Sequence, residues 1–277
     1  MAFASHYIKI AGHDVHYWKG GKGFPLLMFH GVGPGTSIMG NFEPVLSPLA
    51  ERFAIIATDL IGFGESSRKT ESPLFDLNLW LQQGAALLNL FPEGPCAVAG
   101  HSMGGAIALK IAAVHSQVTH VLTSSTVGTS YPLPPALENF WSLPNDCEEL
   151  RAAMGAMVHK PEAVTDEMIE GRWKLLSQEG YSDYFREMFA GDRQRFIEES
   201  LVTELELDSL NKRGVKISMI HGDNDQPCPA ELTSIALSKG LPNAQVTIVP
   251  DCGHNLPREK PNAYMTAATE LLNWEST

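Results

Sequence analysis

Cys96-Ala97-Val98-Ala99-Gly100-His101-Ser102-Met103-Gly104-Gly105-Ala106-Ile107-Ala108-Leu109 joins a short apolar run to a series of small and aliphatic residues through a turn that holds one serine. Residues 96–99 have the length and composition of a buried strand, and 103–114 those of a packed helix. Between them, Gly100 and Gly104 stand two before and two after Ser102. A strand that reverses into a helix this sharply leaves no room for side chains at those two positions, and it lifts the serine clear of the backbone. Ser102 then sits at a helix N-terminus, where the aligned peptide dipoles favour developing negative charge. An ordinary glycine-rich turn would share the pattern, so the flanking elements and the partners of the serine must decide.

Outward from this turn, strands and helices alternate. Toward the N-terminus, 7–9 and 14–18 read as a hairpin, followed by an apolar run at 25–29, a helix at 42–51, a strand at 54–58 and a helix at 77–91. Toward the C-terminus, a strand at 120–124 continues the alternation, which predicts a mostly parallel central sheet with helices on both faces. From 132 to 208 the strands stop, while 148–159, 165–177 and 183–189 have helical spacing. The pattern resumes with a strand at 215–220, a helix at 230–239, a strand at 245–249 and a helix at 261–274. The expected organisation is a core formed by 1–131 and 209–277 with an all-helical insertion, 132–208, as a lid.

Composition narrows the functional classes. The chain has 277 residues, 44% hydrophobic and 19% charged, a length that α/β domains reach around one sheet. A formal net charge of −12 disfavours nucleic acid and anionic lipid as partners, and an acidic substrate would need a local cation in its pocket. No signal-peptide pattern opens the sequence and no apolar run has spanning length, so a cytoplasmic protein without membrane attachment is expected. Cys96, Cys147, Cys228 and Cys252 lack the spacing of a metal knuckle or a disulfide scaffold and read as reduced structural thiols. Neither a metal nor an organic cofactor is expected.

A serine hydroxyl is a weak nucleophile at neutral pH and requires a base, which in turn requires an orienting acid. Two loops at the ends of later strands offer them. His221-Gly222-Asp223-Asn224-Asp225-Gln226-Pro227 carries two carboxylates, and Pro250-Asp251-Cys252-Gly253-His254 follows the last strand. Among ten histidines, His254 is the best placed base. Asp225 is preferred to Asp223 as the acid, because Asp223 is placed to cap its own loop. His221 is read as structural and Asp251 as a turn residue.

His30-Gly31-Val32-Gly33-Pro34-Gly35 follows the first apolar strand and can bring backbone close to a reacting carbonyl. The backbone N–H groups of Val32 and Met103 are the expected oxyanion donors. A phosphate cradle would need a Lys-Ser/Thr ending or dinucleotide spacing, and the loop has neither.

These motifs resemble the α/β-hydrolase family over most of the chain. The finer pattern, in 30–35, in Asp59-Leu60-Ile61-Gly62-Phe63-Gly64 and in Thr165-Asp166-Glu167-Met168-Ile169-Glu170-Gly171-Arg172-Trp173, is similar to the meta-cleavage-product hydrolases, which split C–C bonds in ring-cleaved aromatics. The resemblance implies a small keto-acid bearing an aromatic or alkyl group as substrate, and substrate contacts at Gly31, Gly33, Asn41, His101, Arg172 and Trp173. Arg172 would bind the carboxylate end of a 2-hydroxy-6-oxo-dienoic acid, since a guanidinium can fork onto a carboxylate. Trp173 also reads as lid packing. A homodimer is a family-based expectation. His101 stands where those enzymes usually carry Asn, and Asn255 where they often carry Trp; a carboxylesterase or lactonase with the same triad is the alternative, and a non-catalytic ligand receptor a third reading.

Overall fold

The run before Ser102 lies at the centre of an eight-stranded sheet with order β1-β2-β4-β3-β5-β6-β7-β8. The computed structural model describes residues 3–272. Its strands are β1 (Ala4–Ile10), β2 (His13–Gly21), β3 (Phe24–Phe29), β4 (Phe53–Thr58), β5 (Cys96–His101), β6 (Val118–Ser124), β7 (Lys216–Gly222) and β8 (Gln245–Val249). The pairs β1–β2 and β2–β4 are antiparallel, and all later pairs are parallel. Every residue of β5 is buried, as expected of a central parallel strand covered on both faces.

The period-2 geometry of the strands sorts their side chains into two cores. Leu27, Phe29, Val98 and Val121 join one cluster, and their neighbours Leu26, Met28, Ala97, Ala99 and Leu122 join the other. Helix α1 (Ile38–Leu49) covers the second face, while α2 (Leu77–Leu88) and α3 (Met103–Val114) cover the first. Ser37 caps α1 by accepting the Gly40 N–H at 3.1 Å, so this helix starts before the expected residue 42.

Between β6 and β7 come α4 (Pro135–Phe140), α5 (Cys147–Gly155), α6 (Asp166–Leu176), α7 (Tyr181–Met188), α8 (Gln194–Glu199) and α9 (Glu204–Lys212), with no strand among the described residues. The expected boundary at 208 falls inside α9. That helix packs on α3, with Glu206 3.0 Å from Lys110, and so lies with the core. The insertion is clasped earlier, where the Val202 N–H donates to the Gly128 carbonyl at 2.8 Å.

The last helices are α10 (Ser234–Ser238), α11 (Leu256–Glu259) and α12 (Pro261–Leu272), the last lying beside α1 on the second face. Helix α10 is shorter than the expected 230–239, because the chain after β7 is spent on turns around Asp225. The expected end of the final helix at residue 274 lies outside the described residues. No helix among the described residues is long and apolar enough to cross a membrane.

Candidate active site

Ser102 occupies the turn between β5 and α3 with φ 55° and ψ −120°, a conformation L-residues rarely adopt and one that costs about 1–3 kcal/mol. Packing and hydrogen bonds hold it there. The Ser102 N–H donates to the Ser124 carbonyl at 2.9 Å, and its own carbonyl accepts from Gly105 at 2.9 Å and Val127 at 3.3 Å. A Cβ on Gly104 would lie 2.4 Å from the Phe29 carbonyl oxygen, and one on Gly100 only 2.0 Å from that of Gly104. Only glycines allow this approach.

Asp225 and His254 come together although 29 residues separate them, with His254 Nδ1 2.8 Å from Asp225 Oδ2 and both side chains buried. The other carboxylate oxygen accepts the Cys228 N–H at 2.9 Å, and His221 Nε2 stands 3.0 Å from Oδ2. Asp223 does not reach His254. It accepts the Cys252 N–H at 3.2 Å and an Asn224 amide hydrogen at 2.6 Å, a loop cap. His221 is held within its loop by Ser234 Oγ at 2.7 Å and the Cys228 carbonyl at 2.6 Å. Asp251 lies in a turn with φ 51°.

Burial alone would depress the His254 pKa, but the Asp225 carboxylate first, and then the neighbouring Cys228, outweigh that and raise it well above the ordinary imidazole value. Burial likewise works to raise Asp225, and the charge and hydrogen bonds of His254 and His221 override it, holding the carboxyl far below the usual range. His101 is driven the other way, by burial first and by the neighbouring His254 next, so it stays neutral. Its ring centroid is 4.9 Å from that of His254, and its Nδ1 is 3.2 Å from Ser124 Oγ.

Ser102, His254 and His101 share a cavity with Gly31, Val32, Thr36 and Asn41 of the core and with Arg172, which the insertion brings in on α6. The insertion contributes Phe140, Met154, Met157 and Val158 to the same walls. The space is about 30 Å³, room for about two or three water molecules. A Cβ on Gly31 would come 2.9 Å from Ser102 Cβ, so the loop after β3 passes the serine as closely as an L-residue would forbid. Asn41 fixes this loop by accepting the Gly31 N–H at 2.9 Å. Val32 is thereby placed beside Ser102, and Met103, as first residue of α3, has a backbone N–H without an intrahelical acceptor.

Arg172 is buried on α6, where Nη1 donates to the Pro34 carbonyl at 2.7 Å and to Thr36 Oγ1 at 2.9 Å. Burial, and then the charge of Arg258, pull its pKa down to about 10, which leaves it cationic at neutral pH. Its guanidinium carbon lies 5.6 Å from the centre of the Phe140 ring. A wider cleft of about 270 Å³, which also carries Glu43, Glu167 and Arg258, meets the cavity at Arg172.

Two of the substrate-contact candidates lie elsewhere. Gly33 is not in the cavity wall, because a Cβ there would fall 2.1 Å from the Phe140 ring, and its role is to admit that ring. Trp173, one position past Arg172, turns away from the cavity and packs against the apolar core. Thr36, Val158 and Asn255 line the cavity without having been singled out as contacts. Asn255 had a signal in its position after His254, and its Oδ1 is buried with no hydrogen-bond partner among the described residues.

Residues 25–261 match the family model of the alpha/beta hydrolase fold. The chain is 29% identical over 245 residues to the 2-hydroxymuconate semialdehyde hydrolase of Pseudomonas sp. strain CF600, covering 88% of this chain and 85% of that one. It is 26% identical over 261 residues to the 2-hydroxy-6-oxo-2,4-heptadienoate hydrolase of Pseudomonas putida, covering 94% and 91%. A crystal structure of a meta-cleavage product hydrolase variant aligns with a TM-score of 0.88 at 26% identity over 97% of both chains.

Proposed function

Since this chain belongs to the alpha/beta hydrolase family, we propose that it is a serine hydrolase cleaving the C–C bond of a 2-hydroxy-6-oxo-dienoic acid, a meta-cleavage product of aromatic degradation. Arg172 carries this reading. A buried cation in the wall of the Ser102 cavity, bonded among the described residues through Nη1 alone, is suited to a carboxylate and has no use for a neutral ester.

In this reading His254, oriented by Asp225, first assists ketonisation of the dienol and then takes the proton of Ser102. Ser102 adds to the distal carbonyl, and the N–H groups of Val32 and Met103 receive the oxyanion. The C–C bond breaks because the ketonised fragment leaves as a stabilised carbanion, which is protonated. Water then releases the acyl group from Ser102 as a carboxylic acid. The insertion acts as a lid whose Phe140, Met154 and Met157 supply the apolar acyl side. The enzyme works on a small molecule in the cytoplasm, with a homodimer as the expected assembly.

The test is steady-state decay of the yellow dienolates bearing hydrogen, methyl and phenyl at the acyl carbon, beside a panel of p-nitrophenyl esters. Dienolate turnover that exceeds ester turnover is expected. Ester turnover with no dienolate decay would replace this reading with a carboxylesterase or lactonase.

A further inference from the structure

The mechanism uses Asp225 and His254 but not the third group packed against them. Cys228 lies three residues beyond Asp225, fully buried and free of any disulfide. Its backbone N–H is already committed to Asp225 Oδ1, and its Sγ accepts a hydrogen bond from the Tyr131 hydroxyl at 3.4 Å. A ring nitrogen of His254, a carboxylate oxygen of Asp225 and the Cys228 sulfur all lie within 4.8 Å of one another, the one such three-group cluster among the described residues.

Thiolate, imidazole and carboxylate form a donor set for tetrahedral ions of the zinc class, with a fourth position left for water. Such an ion, bonded at about 2.0 Å to nitrogen and oxygen, holds those two atoms about 3.3 Å apart. The His254 Nδ1 to Asp225 Oδ2 contact of 2.8 Å must open by a fraction of an ångström, and the sulfur, within 4.8 Å of both, must settle at about 3.5 Å from them, a side-chain adjustment at Cys228.

We propose that Asp225, Cys228 and His254 form an inhibitory site for a thiophilic divalent cation of the zinc and cadmium class. On binding, the Cys228 thiol loses its proton to solvent and the sulfur binds the ion. His254 Nδ1 gives up its hydrogen bond to Asp225 and donates its lone pair to the ion, so the one proton of the neutral ring resides on Nε2. A ring in that tautomer cannot accept the proton of Ser102. Of the three residues only His254 borders the cavity, so the ion must pass its ring to reach the sulfur, and inhibition sets in slowly. The loss of activity rests on His254 acting as the base, whereas ion binding does not.

Cadmium titration of the Ser102→Ala protein reads the site without turnover, through the ultraviolet charge-transfer absorption of a cadmium thiolate. One ion per chain is expected. The wild-type enzyme should lose dienolate and ester turnover slowly on cadmium addition and regain it with EDTA. Since even an outer-sphere partner is worth about 10–100-fold in metal affinity, Cys228→Ala should need at least about tenfold more cadmium for half inhibition, each protein measured against its own metal-free rate. The absorption band should vanish with it and persist in Cys147→Ala, which removes the exposed thiol. If Cys228→Ala does not fold, Cys228→Val, nearer in volume, is read in its place. Unchanged cadmium sensitivity in the Cys228 variant, or no band in Ser102→Ala, overturns the site.

Discussion

The backbone N–H of His254 donates to the carbonyl of Met157 at 2.8 Å, which fastens the candidate base directly to the helical insertion. Glu259 secures the same seam. One of its oxygens accepts the His159 N–H at 2.8 Å and the Gly253 N–H at 3.1 Å, and the other accepts the Asn255 N–H at 3.0 Å. A single carboxylate therefore holds the residues on both sides of His254 and a residue of the insertion.

Replacing that carboxylate should loosen both. Glu259→Ala leaves three backbone donors without their acceptor, and a loss of about 2 kcal/mol in stability is expected from thermal unfolding. Misplacement of the imidazole should lower kcat about tenfold or more, with KM changed less. Glu259→Gln, which keeps one amide oxygen, should fall between. An unaltered kcat in Glu259→Ala would mean that the loop holds its shape without the staple.

Ser102→Ala removes the hydroxyl and leaves the turn's backbone bonds to Ser124, Gly105 and Val127 in place. The protein should fold as the wild type does, with turnover reduced about a thousandfold or more. Near-normal rates would remove Ser102 from the nucleophile's role.

The two carboxylates of the loop after β7 make an internal control. Asp225→Asn should cost far more activity than Asp223→Asn, since only Asp225 bonds to His254. Comparable, small losses from both would refute the choice of acid.

The pH dependence follows from the same pair. A base must be neutral to accept a proton, and Asp225 favours the charged imidazole, so the acid limb of kcat/KM should lie above the ordinary imidazole pKa of about 6.5. Asn at 225 removes that attraction, leaving burial, which acts in the opposite direction, against the smaller pull of Cys228. The limb should then move to lower pH in the residual activity, and a limb that stays in place would detach His254 from the profile.

Arg172→Ala should separate an anionic substrate from a neutral one. On a dienoic keto-acid it should lose about 2 kcal/mol or more of transition-state stabilisation, the usual size of a charge-assisted hydrogen bond. A p-nitrophenyl ester should be hydrolysed at nearly the wild-type rate. Equal losses on both would assign Arg172 to holding Pro34 and Thr36 instead.

Local rules made much of this architecture readable before any coordinates. Gly100, Ser102 and Gly104 mark a turn whose steric demands are severe enough to be written in residue type, and the strands around it are apolar because they are buried on both faces. The capping bonds of Asp223 are a local device and so are legible from its place in the loop. The reading of Trp173 as lid packing agrees with its place against the apolar core, whereas the position of Gly33 is not a local matter. Which side of a close contact faces a cavity depends on how α4 and α6 dock, and that is settled by contacts across the fold, such as Phe140 against Gly33. The expected boundary at 208 falls inside α9, because helical spacing alone does not tell a helix bonded to α3 through Lys110 from the helices that precede it. Cys228 carries no motif, and its place beside the Asp225–His254 pair exists only once β7 and β8 lie side by side.

The Val202 to Gly128 hydrogen bond gives the insertion a narrow neck: the chain leaves and returns within one peptide-to-peptide contact, between strands that are neighbours in the sheet. Everything beyond the neck is thus a cassette. A different set of helices with the same spacing between its ends could be spliced in at these two residues without rethreading the sheet. New walls over the serine are then reachable by recombination of whole insertions, provided each new one supplies an acceptor for the His254 N–H in place of the Met157 carbonyl.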